Sequence, residues 1–208
     1  MDTEDYVMKG EILSLFPTAV ARYELGRDFT DEELDFVWTQ NAVENKLNLY
    51  SADSYVFKQK ALSGLNEFSK RCIEHYLKSI ICPENPVSLR ITQSWLNYTK
   101  RGQSHHLHKH LNSFLSGVLY IEAEEEKDQI CFVTPCANDS IDLTPRSLNR
   151  FNSKEWLLSV KKGDLLLFPS SLGHFVPTTD TERRVSLSFN TFPVGYVGSE
   201  EALGAVHL

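Results

Sequence analysis

The 208-residue chain has little of what would tie it to a membrane, a disulfide scaffold or a nucleic acid. No run approaches the roughly 18 apolar residues of a membrane span. The first residues, Met1-Asp2-Thr3-Glu4-Asp5, are acidic where a signal peptide is basic. Cysteine is sparse, and Cys72, Cys82, Cys131 and Cys136 lack the spacing of a metal finger. They are expected to be reduced thiols in a cytoplasmic protein, with oxidised pairs as the alternative. Basic clusters are missing too. The formal charge is -7, and the one dense charge run, Glu124-Glu125-Glu126-Lys127-Asp128, is acidic. That balance disfavours a sequence-independent grip on nucleic acid, which needs clustered Lys and Arg. Repeats and low-complexity stretches are absent. The rest is ordinary for a soluble globular protein, 41% hydrophobic and 24% charged, with enough length for one domain and a substantial core.

The first part of the chain reads as a strand followed by helices. Thr18 to Leu25 has β-branched and alternating character. Thr30 with Glu33 three residues on forms a capping box, and Phe29 with Leu34 fits a hydrophobic staple. From Phe57, the residues Ala61, Leu65, Phe68, Cys72, Tyr76 and Ile80 recur every three or four positions, one apolar helix face that Cys82-Pro83 ends. After Pro86 the texture changes to short strands: Leu89–Tyr98, Phe114–Glu122, Gln129–Thr134, Trp156–Val160, Asp164–Phe168 and Arg184–Phe192, punctuated by Gly, Asn, Asp and Pro. Helices first and strands afterwards imply an α+β domain in which N-terminal helices buttress a jelly roll. The expected layout is a single domain over 1–208. Residues 1–86 would form a strand and the helical buttress, 87–195 the jelly-roll core and 196–208 a tail.

Histidine is concentrated in one place. His105, His106, His108 and His110 fall within six residues. In an extended chain side chains alternate, so His106, His108 and His110 are expected to share a face. Imidazole suits Fe, Zn, Cu and Ni, so ligand type alone does not select a metal. A second segment, Gly163 to Pro169 followed by His174, supplies another imidazole after a strand and turn. Ten residues later, Arg184, Ser186, Ser188 and Asn190 alternate with Val185, Leu187 and Phe189, a half-buried strand whose start is expected near the metal. The expected link from His174 is a hairpin through Thr178 to Glu182. A guanidinium there can make a bidentate bond to a carboxylate, helped by Ser186.

The spacing resembles the cupin pattern on both sides. Gly102, five residues and His108-Lys109-His110 match the first half; Gly163, five residues, Pro169 and His174 match most of the second, with Ser171 where a glycine is usual. The glutamate of that pattern is missing, since Phe114 and Leu115 occupy its zone. The resemblance therefore implies a double-stranded β-helix more than a standard cupin metal site.

More narrowly, four stretches resemble a group of microbial and phage Fe(II)/2-oxoglutarate oxygenases: His108-Lys109-His110, Ser116-Gly117-Val118-Leu119-Tyr120, Phe168-Pro169-Ser170-Ser171-Leu172-Gly173-His174 and Arg184-Val185-Ser186-Leu187-Ser188-Phe189-Asn190. The resemblance covers about Trp95 to Phe192. It implies that His108 and His174 ligate Fe(II), that Arg184 and Ser186 bind the distal carboxylate of 2-oxoglutarate, and that Tyr120 donates to the same carboxylate. With O2, the cosubstrate would leave as succinate and CO2 while a C–H bond of a small-molecule or peptidyl substrate is hydroxylated.

The superfamily usually has His-x-Asp or His-x-Glu where this chain has His108-Lys109-His110. Three readings of the second position stay open: His110 as a true third ligand, favoured by its spacing; a position filled by water or an anion; or a carboxylate from elsewhere, such as Asp139 or Asp142. His106 is the fallback ligand. Two other functions fit the same residues: a three-histidine cupin-like dioxygenase that does not use 2-oxoglutarate, and a non-enzymatic jelly roll that retains a metal. Leu143 to Trp156, with Arg146 and Arg150, reads as a surface loop, with a lid as the alternative.

Overall fold

The computed structural model describes residues 9–135 and 143–208. Cys136, Asp139 and Asp142 lie outside the described residues. The chain opens with strand β1 (Ala21–Glu24), helix α1 (Asp31–Thr39) and the short strands β2 (Ala42–Glu44) and β3 (Leu49–Ser51). Helix α2 (Ser63–Tyr76) follows, then β4 (Val87–Lys100), β5 (His105–His108), β6 (Leu115–Glu122), β7 (Gln129–Val133), β8 (Glu155–Ser159) and β9 (Asp164–Pro169). Last come β10 (Gly173–Val176), β11 (Arg183–Val197) and β12 (Val206–His207). The larger sheet runs β1-β9-β6-β11-β4-β3-β2, with β12 on β11; the smaller runs β5-β10-β7-β8. The architecture is a double-stranded β-helix with helices backing the larger sheet. No described helix is long and apolar enough to cross a membrane.

The larger sheet is covered on both sides, and successive residues of its strands serve different layers. Leu119, Ile121, Leu165, Leu167, Leu187 and Phe189 belong to one core with Leu65, Ile73 and Tyr76 of α2. Val118, Tyr120, Leu166 and Phe168 belong to another with Ile130 and Phe132 of the smaller sheet. This explains why β9 is a continuous apolar run rather than an alternating one. Each fully buried Leu or Phe contributes about 1.5–3 kcal/mol. Gly117 on β6 lies opposite Phe189, and a Cβ there would fall 2.1 Å from the Phe189 ring.

The capping box forms as expected: the Glu33 amide donates to Thr30 Oγ1 (3.2 Å) and the Thr30 amide donates to Glu33 Oε2 (2.9 Å). The second helix differs from the expected stripe at both ends. Val56–Lys58 and Lys60–Leu62 are separate 3-10 turns, and the α-helix starts only at Ser63. At the other end Leu77–Ile81 widens into a π-turn. The wider turn rotates later residues off the stripe, so Ile80 is exposed rather than buried. Cys82 then ends the helix in the left-handed region (φ 48°), its amide donating to the Leu77 carbonyl.

Candidate metal and carboxylate site

The pocket between the sheets receives its imidazoles from the smaller sheet and its guanidinium from the larger. Gly102 and Gly163, the glycines that open the two sequence segments, both sit at positive φ (80° and 88°) in the turns before β5 and β9. A side chain would be strained in either turn. His108 and His174 are directly paired across β5 and β10. Their ring centroids are 4.3 Å apart, and the His110 ring lies 4.9 Å from His108 and 5.2 Å from His174. One ring nitrogen from each of the three falls within 4.8 Å of the others.

The strict alternation expected for this segment does not hold. While β10 advances two residues, from His174 to Val176, β5 takes three, from His108 to His105. That bulge brings His105 onto the side of His108 and puts His106 out of phase. His105, His108, His110 and His174 line the pocket; His106 does not. The fallback ligand is thereby displaced, and His105 is a pocket residue the sequence pattern hid. His105, His106 and His108 also come within 4.8 Å as a second set, but it shares His108 and lacks His174.

Protons on two of the rings are fixed by simple chemistry. His108 Nδ1 lies 2.8 Å from the His106 carbonyl, and His174 Nδ1 lies 3.0 Å from the Leu172 carbonyl. A carbonyl only accepts, so Nδ1 carries the hydrogen in each ring and Nε2 keeps its lone pair for a metal. Burial, and then repulsion among the rings, pushes His110 down to about 3. Burial likewise takes His174 down to about 4 and lowers His108. Neutral imidazoles are what a cation requires. Three such donors fit Fe(II), and no Asp or Glu is among the described residues that line the pocket.

The opposite wall is built on β11. Expected to be half-buried, this strand is buried on both faces from Arg184 to Thr191, because its polar face lines the pocket instead of meeting solvent. The link from His174 is not a hairpin either: β10 and β11 belong to different sheets, and the connection crosses the sandwich. Asp128 anchors that crossing, accepting from Thr179 Oγ1 (2.7 Å) and Thr181 Oγ1 (3.0 Å). Arg184 is 3% exposed, and its Nε has no partner among the described residues. Its Nη2 donates over a long 3.4 Å to Tyr120 Oη. Ser186 is the register partner of both Tyr120 and Asn97, and Arg184 of Thr99. A buried guanidinium with so little to bind fits an incoming carboxylate.

Asn48, Trp95, Asn97 and Thr99 also line the pocket and were missed from sequence. For the last three, the signal was the every-second-residue spacing within the expected strand Leu89–Tyr98 and just past it. Asn97 donates to Ser188 Oγ (2.9 Å), and its own Oδ1 is buried without a partner among the described residues. The Leu143–Trp156 segment is exposed for the most part and contributes nothing to the pocket lining.

Residues 93–190 match the family model described as "Putative 2OG-Fe(II) oxygenase". The match spans a little under half of the chain and says what this segment is similar to. The chain has no match among curated proteins. Solved structures share its fold at low identity. HygX from Streptomyces hygroscopicus, with nickel, 2-oxoglutarate and hygromycin B bound, is 13% identical with a TM-score of 0.59, covering 84% of this chain and 83% of that one. A Trichoplax adhaerens prolyl hydroxylase, in complex with a hypoxia inducible factor peptide fragment, is 10% identical with a TM-score of 0.58, covering 83% of each. A Pseudomonas putida prolyl-4-hydroxylase is 12% identical with a TM-score of 0.54, covering 84% of this chain and 92% of that one. The likeness to these structures is one of fold.

Proposed function

We propose that the chain is an Fe(II)- and 2-oxoglutarate-dependent oxygenase in which His108, His110 and His174 hold the Fe(II) and Arg184, Ser186 and Tyr120 bind the distal carboxylate of 2-oxoglutarate. The reaction is read as hydroxylation of a C–H bond in a small-molecule or peptidyl substrate. One observation carries the reading: a buried Arg184 with an unpartnered Nε lines the same pocket as three neutral imidazoles. When bound, iron with 2-oxoglutarate and O2 supplies the oxidising power, and 2-oxoglutarate leaves as succinate and CO2.

The chain's own residues do the rest. Nδ1–H bonds to main-chain carbonyls keep Nε2 of His108 and His174 free of protons. Arg184 offers a fixed pair of donors, with Ser186 beside it, so the cosubstrate would enter in one orientation. Val118, Ile130 and Val176 line the pocket with apolar surface and exclude water from it. The free thiols of Cys72, Cys82 and Cys131 support a reducing, cytoplasmic setting.

The test is anaerobic loading with Fe(II) followed by 2-oxoglutarate, with the weak visible charge-transfer band as the first readout. O2 is then admitted and succinate assayed. The band and stoichiometric succinate are expected. Iron retained with neither band nor succinate would instead favour a dioxygenase in which Arg184 clamps a substrate carboxylate directly, or a binding module.

A further inference from the structure

Three residues of the motif stretches have no part in that reading: Ser116 of Ser-Gly-x-x-Tyr, Ser170 of Phe-Pro-Ser and Asn190 at the end of Ser-Phe-Asn. They come from three different strands or strand ends, yet they form one buried hydrogen-bond chain. Ser113 Oγ lies 2.7 Å from Ser170 Oγ, and Ser170 Oγ lies 2.8 Å from Ser116 Oγ. Ser116 Oγ donates to Asn190 Oδ1 (2.8 Å), and Asn190 Nδ2 lies 3.4 Å from His110 Nδ1. Ser116, Ser170 and Asn190 are all buried.

His110 needs such help. It lies past the end of β5, and among the described residues its Nδ1 has no main-chain carbonyl of the kind that fixes His108 and His174. Its backbone is held by one bond, from its amide to the Ser170 carbonyl (3.0 Å). Its ring is left to Asn190.

The chain can carry its hydrogens in two orders. In one, Ser116 donates to the Asn190 oxygen and the Asn190 NH2 faces His110. Nδ1 must then be the bare nitrogen, Nε2 carries the proton, and His110 cannot ligate through it. In the other, the carboxamide turns end for end. His110 Nδ1–H donates to the Asn190 oxygen, the Asn190 NH2 donates to Ser116, Ser116 to Ser170, and Ser170 to Ser113. The last hydroxyl, Ser113, has the Leu115 carbonyl at 3.2 Å to receive it. Each link of the relay pairs one donor with one acceptor, and no net proton enters or leaves. Only this second order frees His110 Nε2.

We propose that Asn190, held by the Ser116–Ser170–Ser113 chain, is a positioning residue that sets the tautomer of His110 and so decides whether His110 serves as the third ligand. The inference rests on the three-histidine reading above, and the two can fail separately.

The test is titration of the apo-protein with Co(II) as a spectroscopic probe, in wild type, H110A, N190L, N190D and S170A, with thermal melts to confirm folding. Outer partners of metal-bound histidines typically count for about 10–100-fold, so N190L is expected to fall in that range and H110A to lose at least about 100-fold. H110A should also alter the ligand-field bands, and those of N190L should shift toward them. N190D is the discriminating variant. A carboxylate always accepts from Nδ1–H, so N190D should bind within a few-fold of wild type or more tightly. A purely structural Asn190 would tolerate a buried charge worse than Leu. S170A interrupts the chain while keeping the main-chain carbonyl that accepts from the His110 amide, and should cost a few-fold, which keeps the test decisive if N190L does not fold. In the Zn(II) form, imidazole 15N spectra should place the His110 proton on Nδ1, and S170A should weaken its protection from exchange. Wild-type affinity and bands in N190L or S170A, with H110A impaired, would overturn the relay and leave the three-histidine site standing. Wild-type behaviour in H110A would overturn both.

Discussion

The two walls of the pocket are finished to different degrees. On the smaller sheet, His108 and His174 are cross-strand partners whose Nδ1 atoms are already bound to main-chain carbonyls. On the larger sheet, Arg184 is just as buried as His174, but its Nε has no acceptor among the described residues and its contact to Tyr120 is long. One wall is preassembled, because backbone carbonyls satisfy it within the chain. The other is left electrostatically incomplete, because its acceptor has to arrive with the cosubstrate. An uncompensated buried charge is costly, and the scaffold bears that cost through a sheet packed on both faces. The walls should therefore separate under mutation.

The sharpest separation is expected from the pair H174A and R184M. His174 stands between His108 and Phe168, with ring centroids 4.3 and 4.7 Å away. Removing it should weaken Fe(II) binding at least about 100-fold, since even outer partners of a metal-bound histidine count for about 10–100-fold, and turnover should be lost with the iron. Equilibrium dialysis measures the first and succinate formation the second. R184M should leave iron content unchanged while raising the 2-oxoglutarate requirement about 100-fold, as expected for losing charge-assisted bonds at about 1.5–3 kcal/mol each. R184K should recover only part, because an ammonium cannot reproduce the planar fork. Equal loss of iron and cosubstrate affinity in R184M would mean that the walls are one coupled unit.

How far the sequence discloses these walls follows from how each is encoded. The larger-sheet wall is legible on β11, which keeps strict period-two alternation from Arg184 to Asn190, but its partners Thr99 and Asn97 depend on a register that alternation does not give. The imidazole wall is only partly so. Alternation groups His106 with His108, and one extra residue on β5 reverses the choice in favour of His105. A bulge leaves no mark in composition or periodicity. Nor does local pattern reveal that β10 and β11 lie in different sheets, since turn residues such as Thr178 to Glu182 suit a hairpin and a crossing equally. The short strands β2, β3 and β12 have no apolar period of their own and exist only because β4 and β11 present edges to pair with. The helix stripe predicts the buried face well until the π-turn at Leu77–Ile81, where the period itself changes.

A smaller perturbation tests the scaffold of one wall. G117A places a Cβ on β6 against the ring of Phe189, on the strand that also carries Arg184. Overpacking of this kind typically destabilises by about 1–3 kcal/mol, read as a lower urea midpoint. Phe189 faces the helices while Arg184 and Ser186 face the pocket, so displacement of β11 should reach 2-oxoglutarate affinity before it reaches iron. Iron affinity falling first would place the coupling on the other wall.

The smallest effect is expected far from both. Arg27 donates twice to Glu33, at 2.6 and 2.9 Å, at the start of α1. Burial alone would raise the Glu33 carboxyl, but the bonds from Arg27 and Thr30 outweigh it and hold the group below its ordinary value. A carboxylate lowered in the folded state adds stability above its unfolded value, about 4.3, and that stability is lost as pH falls through the folded value. Arg27 is 39% exposed, so solvent screening holds the pair to about 1 kcal/mol. R27M should therefore unfold at a lower urea concentration than wild type at neutral pH. The two should converge in acid, as pH falls through the folded value and Glu33 takes up its proton. Iron and 2-oxoglutarate affinities should match wild type throughout. A change in either would tie the helical cap to the pocket and end the separation of the two walls from the layer behind them.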